Sequence, residues 1–186
     1  MNRRQRTLTA QQVASTLGPQ LQHQIFGLIT WRYHNTDAAW EELRPILKDF
    51  TENEDIPKMR SRILSMYRAS QKPSFLFSTG DGIRSSGGKG SWRAACLDAL
   101  DGWWEAAGVA AAVLDNPQTT PALWHDAFLK TVVPRMPHFG LGYWSKFVFG
   151  DIGLLSSKAN LEEYTIVGVG CLALLSSWGL RFPRGA

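Results

Sequence analysis

Apolar residues in the first part of the chain recur mostly at three- and four-residue steps. Val13, Leu17, Leu21, Ile25, Leu28 and Ile29 mark one face of a helical stretch from Thr9 to Tyr33. Gly18-Pro19 predicts a break into a short helix and a longer one, because proline is tolerated only in the first helical turn. Asn35-Thr36-Asp37 offers caps for a helix carrying Trp40, Leu43, Ile46, Leu47 and Phe50, which Pro45 should kink or divide. Asp55 and Pro57 start the next helix, with Met59, Ile63, Met66 and Tyr67 on one face.

The pattern lapses from Gln71 to Ser91, a stretch with five glycines, five serines and Phe75-Leu76-Phe77 as its only apolar cluster. A loop of that length inside a domain is functional or disordered. Helical periodicity returns with Ala94, Ala95, Leu97, Leu100, Trp103 and Trp104, and ends at Asp115-Asn116-Pro117. Thr120-Pro121 opens a helix with Leu123, Trp124, Phe128, Leu129 and Val132. A proline-glycine hairpin and a short helix to Phe149 follow, then a last helix from about Asn160 to Trp178. With no repeat and no strand ladder, the pattern predicts an all-α, compact multi-helix domain of about seven to nine short helices spanning residues 1–186.

Composition agrees with a packed globular domain: 44% of the 186 residues are hydrophobic and 19% charged. Cys96 and Cys171 are too few for a disulfide framework or a four-thiolate zinc site, and read as buried thiols in a reducing compartment. The basic start of the chain runs into polar residues. The longest apolar run, Ile166 to Leu175, is about half of what a spanning helix needs. The expectation is a soluble, cytoplasmic protein with no membrane partner.

Charge is uneven. The net charge is +4, but Asp37 to Asp55 holds seven acids against Arg44 and Lys48, and the rest of the chain carries 18 basic and 9 acidic residues. A basic body with one acidic helical patch suits a polyanion approached from one side, and equally a solvated surface or a basic protein-interaction domain.

The stretch from Val132 to Asp151 is the most informative chemically. An amphipathic helix leads into Met136-Pro137-His138-Phe139-Gly140-Leu141-Gly142, and a second helical segment follows directly. Gly140 and Gly142 permit a tight turn and close backbone approach. Unsatisfied amides at the start of the second segment, Ser145 among them, can receive a phosphate oxygen. The same residues also suit an ordinary turn. Lys146 follows among Tyr143, Trp144, Phe147, Val148 and Phe149. In apolar surroundings a lysine's charged form is poorly solvated, so its amine becomes a nucleophile. Alternatively its stem lies on apolar surface with its head in water.

On Gly140, Tyr143, Trp144, Ser145, Lys146, Phe147 and Phe149 the chain resembles the helix-hairpin-helix DNA glycosylase superfamily, in particular the bacterial and archaeal proteins of 8-oxoguanine DNA glycosylase fold. The resemblance is close over roughly twenty residues. It implies a helix-hairpin-helix element over 132–151, double-stranded DNA with modified bases as partner, no cofactor, and Lys146 as the nucleophile. It also implies an aspartate after the hairpin. Asp151 is the nearest carboxylate, with Glu162 and Glu163 further on and Asn160 among them. Five residues separate Asp151 from Lys146, which places it on another helix face. The implied activity is excision of a modified or oxidised base, with DNA repair as its setting.

A second resemblance points elsewhere. Thr30-Trp31-Arg32-Tyr33-His34-Asn35, followed by Ala39-Trp40-Glu41 and by the glycine-rich segment after Phe77, is similar to glycosylase-like proteins that hypermodify thymine in phage DNA. Trp31 and Trp40 suit core positions. A third reading is a non-catalytic DNA- or protein-binding module in antiviral defence. Arg84, Lys89 and Arg93, with nearby serines, could face phosphate at the start of the helix at Ser91, although the spacing is not that of a Walker loop. His138, beside the hairpin glycines, is a further phosphate-contact candidate. His23, His34, His125 and His138 have no metal-ligand spacing, and no metal site is expected.

Overall fold

The computed structural model describes residues 8–69, 91–137 and 143–156, and of 91–92 and 143–147 only the backbone. Expectations for Lys89, His138, Gly140, Gly142, the glycine-rich stretch up to residue 90 and the helix from Asn160 lie outside the described residues. Within them the chain is helical and has no strand: α1 (Ala10–Ser15), α2 (Leu21–His34), α3 (Asp37–Asn53), α4 (Ile56–Ala69), α5 (Ser91–Asp115), α6 (Pro121–Ala127) and α7 (Tyr143–Gly153). None of these helices is long and apolar enough to cross a membrane.

The helix ends follow from side-chain chemistry. Thr9 and Gln12 form a reciprocal capping box, each side chain accepting the other's backbone N–H. Gly18, at φ +83°, breaks the chain between α1 and α2 as expected. Asn35, at φ 54°, ends α2 in the left-handed region, and Thr36 caps α3 by accepting the Ala39 N–H at 3.1 Å. Asp55 accepts the Lys58 N–H at 2.8 Å at the start of α4. Thr120 caps α6, with Pro121 in its first turn.

Two expectations need correction, and the one for Pro45, a kink or a division, loses its second half. Pro45 does not divide α3, which is continuous over Asp37–Asn53. Pro45 and Glu41 are both exposed, so the carbonyl that loses its amide partner can turn to water. The helix expected from Thr120 changes gait: after α6 the backbone widens into a π turn over Phe128–Val132 and tightens into a 3₁₀ turn over Val133–Arg135. Along this stretch Leu123 and Leu129 are exposed, while Trp124, Phe128 and Val132 lie in the core. Finally, α7 runs past Phe149 to Gly153.

At the centre lies α2, which packs on α1, α3, α5 and α7, most extensively on α5. Its last ten residues, Ile25 to His34, are all buried, so it has no solvent face. The side of α5 turned to the core is rich in small residues, Ala95, Cys96, Ala99, Ala106, Ala107 and Ala110, set beside Leu100, Trp103 and Leu114. Small side chains allow close helix approach, with Trp103 filling the wider gap against Tyr33 at 4.9 Å between ring centroids. Trp31 and Trp40 are core residues, as expected.

Candidate functional site

The C-terminal turn of α2 gathers most of the buried polar side chains among the described residues. Having no solvent face, α2 must bury whatever polar side chains it carries, and Thr30, Arg32, Tyr33 and His34 each need partners. Arg32 reaches α7, where its Nη2 donates to Asp151 Oδ1 at 2.7 Å and its Nε to Oδ2. The pair is bidentate, buried at both ends, and spans 119 residues of sequence. The Arg32 guanidinium also lies 4.5 Å from the Trp31 ring centroid.

His34 turns to the opposite side, towards α4. Its Nδ1 lies 2.8 Å from the Thr30 carbonyl oxygen, which can only accept, so Nδ1 carries the proton and Nε2 accepts from the Tyr67 hydroxyl at 2.7 Å. The Tyr67 hydroxyl is also hydrogen-bonded to the Cys96 thiol of α5. Burial pulls the His34 pKa down to about 4, partly opposed by its bond to Thr30. Burial pushes the Cys96 thiol up to about 12, with the Tyr67 bond acting the other way. Tyr67 and Tyr33 are also raised, by burial first and then by Cys96. At neutral pH these four groups are all uncharged, and none is primed as nucleophile or base.

The five residues between Pro137 and Tyr143 join two anchored ends. On the side before them, the Trp103 indole N–H donates to the Pro137 carbonyl at 3.1 Å. Gly102 beside it has no room for a side chain, since a Cβ there would lie 2.8 Å from the Arg135 carbonyl oxygen and 3.0 Å from Pro137 Cδ. On the side after them, α7 is tied to α2 through Asp151. Val148 and Ile152 are buried, and Phe149 stacks on Trp124 at 5.6 Å with the planes 10° apart. The segment expected to carry the hairpin is therefore fixed to the α2–α5 core on both flanks.

Of the residues singled out in the sequence, Ser145, Lys146 and Asp151 share α7. Lys146 and Asp151 stand about 140° apart around its axis from their spacing. Arg93 lies in the first turn of α5, partly exposed, its guanidinium 5.6 Å from the Tyr67 ring centroid and thus near the His34 side of the cluster. Arg32, His34, Tyr33 and Tyr67 were not singled out as site residues, yet they form the most elaborate polar arrangement described. The available signal was Thr30-Trp31-Arg32-Tyr33-His34, a run of bulky residues with polar groups that directly follows an apolar helical stretch. The described residues contain no group of three or more His, Cys, Asp or Glu side chains placed to hold a metal ion. Comparison of the chain with protein-family models, with curated proteins and with solved structures gives no match.

Proposed function

We propose that the protein binds double-stranded DNA through the 138–146 segment and excises a modified or oxidised base, with Lys146 as nucleophile. The observation that carries the reading is the anchoring of both flanks of this segment, Pro137 on α5 and α7 on α2. Backbone-gripping amides must be held rigidly to the body of the protein if they are to position a duplex without reading its sequence. In this reading the Lys146 amine attacks the sugar C1′ of a flipped nucleotide. The glycosidic electron pair departs with the base, which takes a proton from water, and one nitrogen proton passes to the ring oxygen as the C1′–O4′ bond breaks and a protonated imine forms. Main-chain amides near Gly140 and Gly142, with Lys89, Arg93 and His138, hold the phosphates.

The test is incubation with duplexes carrying 8-oxoguanine or other altered bases in the presence of borohydride, beside Lys146→Gln. The expected result is a lysine-dependent covalent adduct on one altered base and none on normal DNA. DNA binding without an adduct on any base refutes base excision by Lys146. A second reading, a DNA-binding module without chemistry, is favoured by one observation: both Asp151 oxygens are engaged by Arg32, which takes the nearest carboxylate away from proton transfer. It predicts steeply salt-dependent binding that Lys146→Gln weakens only by one phosphate contact.

A further inference from the structure

Resting on the reading of Lys146 as nucleophile, we infer that Arg32 and Asp151 are positioning residues, which set the register of α7 against α2 and so the place of Lys146, and that Asp151 transfers no proton. Asp151 accepts from the Arg32 guanidinium through both oxygens, so its carboxylate is turned towards α2 and held there. Its position argues the same way, since residues 146 and 151 occupy positions about 140° apart around the α7 axis. The side chains that α7 buries in the hydrophobic core, Val148, Phe149 and Ile152, are apolar. Apolar contacts tolerate sliding, and a slip of one residue would turn Lys146 by about 100° and move it about 1.5 Å along the axis. A two-pronged ion pair admits one register only, because both prongs are lost together when the helix slips. Burial of both members sharpens the selection, since a misregistered α7 would leave two charges buried apart.

The experiment compares the full chain with Asp151→Asn, Arg32→Met and the exchanged double variant Arg32→Asp/Asp151→Arg, in which the two-pronged pair is rebuilt with its members reversed and position 151 carries no carboxylate. Two quantities are read: the single-turnover rate of borohydride trapping on duplex DNA, and amide hydrogen exchange along α7. Positioning predicts that each single variant traps at least about tenfold more slowly, with faster exchange confined to α7, and that the double variant recovers most of both. Proton transfer by Asp151 predicts a double variant as inactive as Asp151→Asn despite restored α7 protection, and that result overturns the inference. If a single variant fails to fold, Arg32→Lys replaces it, keeping the charge and losing the fork, with a partial loss of rate expected. If the wild-type chain traps no DNA, the activity proposed above fails, and exchange alone decides: unchanged α7 protection in the single variants overturns the inference, and loss in both with recovery in the double supports it.

Discussion

Gly102 and Gly108 lie six residues apart in α5, and the same substitution at the two should have opposite effects. In a helix interior free of contacts, glycine to alanine is worth about 1 kcal/mol in favour of the helix. At Gly102 the new Cβ would meet the Arg135 carbonyl oxygen at 2.8 Å and Pro137 Cδ at 3.0 Å. Both belong to one backbone segment, which is also held by the 3.1 Å bond from Trp103 to the Pro137 carbonyl. Relieving the clash means moving that segment. Overpacking of this kind costs about 1–3 kcal/mol, and weakening the bond of a buried indole adds about 1 kcal/mol. After the helical gain, Gly102→Ala should destabilise by about 1–3 kcal/mol, or roughly 3–9 °C in Tm for a chain of this size. At Gly108 the nearest atom is the Gln22 side-chain Nε2, at 2.9 Å, which can swing away at the loss of a weak 3.3 Å bond to the Trp104 carbonyl. Gly108→Ala should therefore lie within about 0.5 kcal/mol of neutral, or stabilise slightly.

Thermal and urea unfolding of both variants, followed by circular dichroism and tryptophan fluorescence, measures the contrast. Equal stabilisation by the two substitutions would refute the close approach of residues 135–137 to α5. Under the proposed function a second contrast follows. Gly102→Ala displaces the segment leading directly into residues 138–142, so it should weaken DNA binding, and Gly108→Ala should leave it unchanged.

Three further outcomes are expected. His34 has a depressed pKa in the folded chain, so the unfolded chain binds more protons between about pH 4 and 6.5. Its contribution is fully present above that window and falls by up to roughly 3 kcal/mol as pH drops through it. Urea midpoints measured across the window should slope for the wild type and flatten for His34→Gln; an unchanged slope would discount His34 as the cause. Cys96, fully buried with its thiol pushed up to about 12, should resist thiol reagents in the native state. In a Cys171→Ser background it should react only at the rate of unfolding, and rapid labelling under native conditions would contradict its burial. Pro45→Ala restores an amide within a continuous α3 at an exposed position and should stabilise by about 1–3 kcal/mol by urea unfolding, less the entropy that proline removes from the unfolded chain. A loss of stability would mean that α3 needs the proline's geometry.

Most of the helical architecture was legible wherever local chemistry decides it. Thr36, Asp55 and Thr120-Pro121 mark helix starts because their side chains or ring satisfy what the backbone lacks there, and no tertiary information is needed. The buried faces of α3 and α4 follow their three- and four-residue spacing for a similar reason, since each has one side in water. Periodicity says less about α2 and α5. A helix enclosed all round has no polar face to set the contrast, and a helix whose buried side is largely alanine hides it among weakly hydrophobic residues. Nor could local pattern foresee the π turn at Phe128, where the gain is tertiary: Trp124, Phe128 and Phe149 come together with ring centroids 5.3–5.6 Å apart. The Arg32–Asp151 pair was least legible, because nothing in either local segment names a partner 119 residues away.

That pair also separates two kinds of polar residue in the core. Arg32 and Asp151 keep full charges out of water and do so with geometry that admits one arrangement. Their neighbours His34, Tyr67 and Cys96 reach the same buried turn by staying neutral, each linked to the next and the series ending on the Thr30 carbonyl. Neither arrangement leaves a nucleophile available to a substrate at neutral pH. Under the proposed function the reacting group lies outside this cluster, and Lys146 in the first turn of α7 is the candidate. Removing Lys146 should therefore abolish reaction without affecting stability, while removing Arg32 should cost both. If Lys146→Gln proved as destabilising as Arg32→Met, Lys146 would belong to the framework and the proposed division between holding and reacting would fail.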